Sequence, residues 1–388
     1  MKILVFSWMR EYTLTDIVEV FKEFNYSLSF YNFDVRNKNK SNCPELYELT
    51  LKEIKNGNYS ALFSVNYFPD LAKACKELGI LYISWSYDCP LDIVNVEDTI
   101  GLSTNRAFFF DYGQYLEYSA ASSNNTVFHL PLAVNSKRLA AFPYNSKFAS
   151  DISFVGSAYH SSLPTIEKYL DEYYIGYLNG IIEAQKNTYG AYLAKEVLTQ
   201  SFMEDINNNL KKHDCVFTKG DSKVTISQLA YSIATEATFE NRLLILGILS
   251  KKFDLRWYTN NNSETVESIK KYPPIDYNTE MPSVFKSSKI NLHIGLLAIP
   301  SGISLRQLDI MGCGGFLLSS FQPELFDYYI PGEDFDYYTN WEEAYEKSTF
   351  YLSHDSLREE IAKSGQNKTA TLFDYKIAVK KLMDIAFS

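Results

Sequence analysis

The chain has 388 residues, of which 22% are charged and 46% hydrophobic, and its formal net charge is −10. This composition excludes a disordered chain, disfavours nonspecific nucleic-acid binding, and provides no polybasic patch for a membrane surface. A chain of this length usually folds into two domains. The five cysteines are scattered without a Cys-x-x-Cys motif, so the sequence predicts neither a disulfide framework nor a zinc ribbon.

Strand and helix patterns alternate through the first part of the chain, which is typical of a parallel sheet covered by helices. The predicted strands lie at 3–6, 28–33, 61–65, 81–85, 107–110 and 127–130, and the helices lie at 14–24, 44–54, 71–78 and up to about 120. The chain starts with a strand pattern, lacks a signal-peptide layout, and has no apolar run of the ~18 residues that a membrane span needs. We therefore expect a cytoplasmic protein without a transmembrane segment.

A linker at 142–146 precedes a second series of strand patterns. These strands are predicted at 151–157, 253–258, 290–294, 316–318 and 335–338, and the final helices at 341–352, 355–364 and 375–386. The sequence thus predicts an N-terminal Rossmann-like domain over 1–143 and a C-terminal one over 144–370, with a helical insertion at about 165–249. The last helix, 371–388, can pack back on the N-terminal domain. Two such domains in tandem predict a central cleft between them.

The segment from Gly302 to Pro331 is the most informative part of the sequence. It places a short helix pattern between the strands predicted at 290–294 and 316–318, and glycines at 312, 314 and 315 end that helix. A strand–loop–helix unit directs backbone N–H groups and the positive helix dipole at one spot, which suits an anion. The pattern places Arg306 and Asp309 off the apolar face, where they can bind the diphosphate and ribose of a nucleotide.

This segment resembles the CgeB-like, spore-maturation type of glycosyltransferase. Leu305, Arg306 and the run 313–317 match the family's motif, and Asp309 stands where the family has the Glu that contacts the ribose. Many retaining relatives carry another Glu where this chain has Ser301. Further stretches of similarity lie at 66–69, 79–90, 129–135 and 151–157. The resemblance implies a GT-B fold, with two Rossmann-like domains facing a central cleft, and a nucleotide-sugar donor.

The predicted donor site consists of Gly156, Ser157, Gly302, Arg306, Asp309 and Gly314. Gly156 and Ser157 follow a buried strand, where glycine allows a phosphate to approach the backbone and the serine hydroxyl can donate to it. An ordinary strand-ending turn is the alternative for this pair. For Arg306 and Asp309 the alternative is a surface ion pair between residues three apart on a helix.

The predicted catalytic residues are the carboxylates Asp88 and Glu11, each in a loop directly after a strand. Either could serve as the general base for an acceptor hydroxyl, whereas a turn-capping role is the alternative for Asp88. Tyr67 and Tyr12 are the predicted acceptor-side residues. His129 and His293 lie in apolar strand patterns and are more typical of core or edge positions. No cluster has metal-ligand spacing, so we expect a metal-independent enzyme without a cofactor.

These observations predict a glycosyltransferase that moves a sugar from a nucleotide sugar to a hydroxyl of a glycan, a cell-surface precursor or a protein such as flagellin. Two alternatives stay open at this point. One is a non-catalytic nucleotide-sugar-binding module of a glycosylation complex, since the sequence shows no evident base. The other is a nucleotide-sugar epimerase. A dinucleotide-binding Gly-x-Gly-x-x-Gly motif is absent after the first strand, which weakens a nicotinamide-dependent oxidoreductase.

Overall fold

A computed structural model describes residues 1–8, 12–36, 38–213, 223–260 and 269–388. By its internal contacts the chain divides into two compact units. The first consists of Met1–Ala141, Gly302–Gly312 and Asn367–Ser388, and the second of Phe142–Ser301 and Cys313–Gln366. This division differs from the predicted one in that the helix carrying Arg306 groups with the first unit.

The first unit is built on a six-stranded parallel sheet in the order β2-β1-β3-β4-β5-β6. Its strands are β1 (Lys2–Ser7), β2 (Ser27–Asn32), β3 (Ala61–Val65), β4 (Leu81–Ser86), β5 (Asn105–Phe109) and β6 (Val127–His129). Its helices are α1 (Tyr12–Glu23), α2 (Pro44–Lys55), α3 (Pro69–Leu78), α4 (Glu97–Ile100), α5 (Tyr112–Ala120) and α6 (Ser136–Ala140). The central strands β3 and β4 are mostly apolar and are buried along nearly their whole length, because helices cover both faces of the sheet.

The second unit contains another six-stranded parallel sheet, in the order β12-β11-β10-β7-β8-β9. Its strands are β7 (Ser150–Val155), β8 (Leu255–Tyr258), β9 (Lys271–Tyr272), β10 (Ser288–His293), β11 (Leu317–Ser320) and β12 (Asp336–Tyr338). Between β7 and β8 lie the helices α7 (Leu163–Glu167), α8 (Glu172–Lys186), α9 (Leu193–Val197), α10 (Gln200–Lys212) and α11 (Ile226–Ser250). The helices later in the chain are α12 (Met281–Ser287), α13 (Leu305–Gly312), α14 (Leu325–Tyr328), α15 (Trp341–Leu352), α16 (Asp355–Leu372) and α17 (Tyr375–Ala386). Of these, α13, α17 and the end of α16 belong to the first unit.

The helices α7 to α11 lie between β7 and β8. They share a hydrophobic core that includes Leu178, Ile206 and Ile233 and that also takes in Leu297 and Ala298, from the loop after β10. Helix α11 begins with a capping box, in which the Thr225 hydroxyl accepts from the Gln228 amide at 3.2 Å. Among the helices of the described residues, none is both long enough and apolar enough to cross a membrane.

The α/β prediction is confirmed for both sheets. All six strands predicted for the first sheet and five of the second are found; the two-residue strand β9 was not predicted because it is too short to show a pattern. The final helix α17 packs against α1, and both belong to the first unit. The backbone of residue 134 also pairs with Asp374, next to the start of α17.

Candidate functional site

The second sheet has a topological switch point between β7 and β10. From β7 the chain moves outward to β8 and β9, then returns to the other side of β7 and continues through β10, β11 and β12. In open α/β sheets, ligands bind outside the carboxyl ends of the strands at such a point. Gly156 and Ser157 directly follow β7, so the structure places this predicted pair at the switch point of the second unit.

Arg242, on helix α11, joins the two strand ends at this switch point. Its guanidinium donates to the carbonyl oxygen of Ser157 after β7 and, at 3.1 Å from Nε, to that of Ile294 after β10. The side chain is buried and lies over the rings of Phe154 and Tyr159, at 5.1 and 4.6 Å from their centroids. Arg242 therefore fixes the backbone that surrounds the switch point.

Arg242 is not among the predicted site residues because it belongs to no sequence motif. The available signal was its position inside the long apolar helix pattern of α11, where an arginine needs several hydrogen-bond acceptors. A fork of five N–H donors can satisfy carbonyl groups from two separate loops, whereas a lysine ammonium cannot span them in the same way.

The loops after β10 and β11 are tied together in the same unit. The Gly295 amide donates to Ser320 Oγ at 3.0 Å. The Ser301 hydroxyl donates to Glu324 Oε1 at 2.8 Å, and the Glu324 amide donates to the Ser301 carbonyl at 3.1 Å. Residues 188–191 of the insertion line a cavity of about 10 Å³ together with these loops, close to the lower limit for one water molecule. The strand-end loops of this unit are therefore held in one defined conformation.

Gly314 has a different role from the predicted contact with the donor. It follows the carboxyl end of α13 with φ +75°, the left-handed conformation that favours glycine after a helix. A Cβ at this position would meet the amide of Gln366 at 3.0 Å. The N–H groups that attract an anion lie at the other end of the eight-residue helix, about 12 Å away. Gly314 therefore ends the helix.

Gly302 also packs against protein, which corrects its assignment to the donor site. Its amide donates to Asp111 Oδ2 at 2.6 Å, and a Cβ would lie 2.8 Å from both the Asp111 Cα and the ring of Phe110. Glycine is needed here because the backbone closely approaches the turn after β5. All three residues belong to the first unit.

Replacing Gly302 with alanine is expected to lower the free energy of unfolding by about 1–3 kcal/mol, the cost of overpacking a close backbone contact. Gly180→Ala is the matched control, because Gly180 lies on the exposed side of α8 with no atom within 4 Å of its added Cβ. Removing a helical glycine should raise stability by about 0.5–1 kcal/mol. Denaturant titration measures both, and equal stability of Gly302→Ala and the parent protein would contradict the packing role.

Asp309 is buried instead of lying on an exposed face, with 1% of its surface accessible. Residues 307–312 are all buried, so the apolar pattern did not identify the exposed side of this helix. Arg306 Nη1 lies 3.5 Å from Asp309 Oδ2. Burial raises the pKa of Tyr87, and the charges of Asp16 and Asp309 raise it further. The ribose-binding role of Asp309 stays a prediction.

Asp88 follows β4 at the carboxyl edge of the first sheet. Asn66, after the neighbouring strand β3, donates from Nδ2 to Asp88 Oδ2 at 2.8 Å, and its Oδ1 accepts from the amides of Tyr87 and Asp88 at 2.7 and 3.2 Å. Desolvation by the surrounding loops raises the pKa of the Asp88 carboxyl, although its exposed edge stays open to a ligand. One amide side chain, that of Asn66, therefore positions the Asp88 carboxylate, and the role of Asp88 as general base stays a prediction.

Among the other predicted first-unit residues, Tyr67 has a side chain that the structure describes. Tyr67 is fully buried, and its hydroxyl bonds Thr99 Oγ1 at 2.9 Å and accepts from Asn105 at 3.3 Å. It is a core residue and cannot contact an acceptor, which corrects the prediction. Glu11 and the side chain of Tyr12 lie outside the described residues.

Both candidate histidines lie at strand ends and contact neighbouring protein groups. His129 Nε2 lies 3.1 Å from the Phe110 carbonyl, and His293 Nδ1 lies 3.1 Å from Ser319 Oγ. Within the ranges that the structure describes, no three His, Cys, Asp or Glu side chains are grouped so that they could hold a metal ion. Metal independence stays a prediction.

The fold is shared with solved glycosyltransferase structures. Sucrose-phosphate synthase from Thermosynechococcus elongatus has a TM-score of 0.60 at 8% identity, over 99% of this chain and 98% of that one. A glycosyltransferase from Rickettsia africae has a TM-score of 0.55 at 10% identity, over 99% and 97%. HepE from Anabaena, in complex with UDP-glucose, has a TM-score of 0.55 at 10% identity, over 99% of both chains.

The protein therefore has the α/β fold of the GT-B glycosyltransferases, with two parallel six-stranded sheets. Residues 230–384 match a family model described as glycosyl transferase-like, which spans less than half of the chain. No curated protein matches the sequence. The narrower CgeB-like assignment stays a prediction.

Proposed function

We propose that this protein is a glycosyltransferase that moves a sugar from a nucleotide-sugar donor to an acceptor hydroxyl. The observation that carries the proposal is the turn at Gly156 and Ser157, which occupies the switch point of the second sheet in a chain whose residues 230–384 match a glycosyl transferase-like family. Switch points of open α/β sheets are where nucleotides bind.

The second unit provides the donor side in this proposal. Backbone N–H groups after β7 and β10 and the Ser157 hydroxyl suit a diphosphate, and Arg242 holds their loops in place. Structures of HepE were solved in complex with UDP and with UDP-glucose, which makes uridine diphosphate the first nucleotide to test. The predicted contributions of Arg306 and Asp309 to diphosphate and ribose binding belong to the same proposal.

The first unit provides the general base. The Asp88 carboxylate takes the proton of the acceptor hydroxyl as the hydroxyl oxygen forms a bond with the anomeric carbon. The bond from that carbon to the diphosphate breaks, and its electron pair stays on the phosphate oxygen. Hydrogen-bond donors near the diphosphate stabilise the charge that develops there. The proposed acceptor is a glycan, a cell-surface precursor or a protein such as flagellin.

Uridine diphosphate is expected to raise the melting temperature of the protein in the presence of a chelator. Ligand binding to the native state increases stability by mass action, by about 2.7 kcal/mol when the free ligand is at 100 times its Kd. The measurement is a thermal-shift series with UDP, UDP-glucose and uridine, each with EDTA or with magnesium. A shift that occurs only with magnesium would contradict metal-independent binding.

A turnover assay with radiolabelled UDP-sugars and candidate acceptors tests the function itself. Transfer to an acceptor supports the proposal, and slow release of free sugar without an acceptor supports donor activation. Nucleotide binding with neither transfer nor hydrolysis would indicate a binding module. Conversion of one UDP-sugar into another without any acceptor would indicate an epimerase.

A further inference from the structure

Tyr159 has a backbone conformation that is unusual for a tyrosine. Among the residues that the structure describes, five other than glycine have a positive φ, and four of them are asparagines. The fifth is Tyr159, with φ +64°, in the turn that follows β7. Asparagine enters this left-handed region readily, whereas a bulky side chain does so only at a cost in free energy. Such strain persists where the surrounding structure enforces it, and it is concentrated at sites that bind ligands.

Helix α11 holds this turn on both sides of Tyr159. Before it, the Arg242 guanidinium donates to the carbonyl oxygen of Ser157. After it, the Ser161 hydroxyl donates to the carbonyl oxygen of Ser232 at 2.7 Å. Arg242 and Ser232 both lie on α11, so the two ends of the turn are fixed to one helix. The chain between these anchors has to turn sharply, and Tyr159 is thereby kept in the left-handed conformation.

The ring of Tyr159 lies over the Arg242 guanidinium, with 4.6 Å from its centroid to the guanidinium carbon. This contact does not by itself account for the strain. The ring of Phe154 already lies against the same guanidinium at 5.1 Å, and three hydrogen bonds to carbonyl oxygens hold Arg242 in place. Tyr159 is half-buried, so part of its surface stays accessible. A flat aromatic group is thus held in a fixed position next to Gly156 and Ser157.

We propose that Tyr159 binds the nucleobase of the donor, which stacks on the tyrosine ring. The inference rests on the proposed function in that the diphosphate binds at Gly156 and Ser157. Because Ser157 and Tyr159 are two residues apart, their Cα atoms are separated by at most about 7.6 Å. The ribose that links a diphosphate to its base bridges a gap of this order. Every base has a flat π-face, so the ring contributes affinity without selecting one base over another.

The test is calorimetric titration of the full-length parent protein and two Tyr159 variants with UDP and with inorganic pyrophosphate. Tyr159→Phe keeps the ring and should bind UDP like the parent protein. Tyr159→Asn removes the ring but suits the left-handed conformation, so it should weaken UDP binding about 10-fold without lowering the melting temperature. Pyrophosphate has no base, and its affinity should be the same in all three proteins.

Tyr345→Asn is the matched control, because the ring of Tyr345 also covers a cation, the Lys252 ammonium, at 4.8 Å. Lys252 precedes β8, so this pair lies at the amino edge of the second sheet, away from the switch point. The control removes a comparable ring and should leave the affinity for UDP unchanged.

The outcomes separate this inference from the function on which it rests. A loss of UDP affinity confined to Tyr159→Asn supports the inference even if the protein transfers no sugar, which would refute only the proposed activity. Unchanged UDP affinity in Tyr159→Asn, or an equal loss in Tyr345→Asn, would overturn the inference and leave the proposed donor site in place. Equal losses for UDP and pyrophosphate would overturn it by showing that the ring only shapes the turn.

Two further results would also overturn the inference. A loss with UDP-glucose but not with UDP would place a sugar ring, instead of a base, against Tyr159. A parent protein that binds none of UDP, ADP and GDP would refute both the nucleobase contact and the proposed donor site.

Discussion

Replacing Asp88 with asparagine is expected to lower turnover by about 10²-fold or more while leaving the affinity for a nucleoside diphosphate unchanged. The asparagine keeps the size of the side chain, and its carbonyl oxygen can still accept the hydrogen bond from Asn66. The two hydrogen bonds that Asn66 Oδ1 accepts come from the backbone amides of residues 87 and 88, so the substitution retains them. The variant therefore loses the ability to accept a proton and little else.

Asp92→Asn is the control for this experiment, since it removes a carboxylate from the same loop whose side chain is 89% exposed. Its turnover should stay near the parent value at neutral pH. Initial rates at saturating donor and acceptor, together with calorimetric titration by UDP, make the comparison. Full turnover in a folded Asp88→Asn protein would show that Asp88 only caps the turn. A decrease in melting temperature together with the decrease in turnover would show that Asp88 has a structural role.

Replacing Arg242 with methionine is expected to cost about 2–5 kcal/mol of stability and to abolish most of the stabilisation by UDP. The buried carbonyl oxygen of Ile294 and the partly buried one of Ser157 would lose their donors, and a buried group left unsatisfied costs about 1–3 kcal/mol. Methionine fills much of the same volume, so the loss reflects hydrogen bonds more than packing. The freed loops would no longer hold the switch point in one conformation.

Arg256→Met is the control that separates the loss of stability from the loss of UDP binding. Arg256 lies on β8 in the same unit, and its Nη1 donates to one carbonyl, that of Lys147, at 2.8 Å. This control should lose stability but bind UDP like the parent protein. Arg242→Lys retains the positive charge, and it is the variant to measure if Arg242→Met does not fold. UDP affinity that is unchanged in both Arg242 variants would contradict the role of Arg242 at the donor site.

Local sequence patterns were sufficient to predict the two parallel sheets. A strand buried between two layers of helices is a continuous apolar run, and the runs at 61–65 and 81–85 were recognisable for that reason. The positions of Gly156 and Asp88 after strands also followed from the sequence, since the residues that follow parallel strands lie at one edge of the sheet.

The tertiary structure decided which of these strand-end side chains are exposed and which are buried in the core. Tyr67 and Asp88 both follow strands, yet one is fully buried against Thr99 while the other keeps an exposed edge beside Asn66. Helical periodicity placed Asp309 off the apolar face, but α13 is buried on several sides.

The sequence by itself determined the order of strands and helices, because that order depends on interactions between residues close in the chain. The contacts of Arg242, which joins loops more than 50 residues away on each side, and of Lys40, which pairs with Asp92 52 positions later, were decided only by the folded chain. Contacts at such separations depend on how the sheet brings strand ends together, and a linear pattern contains no measure of that distance.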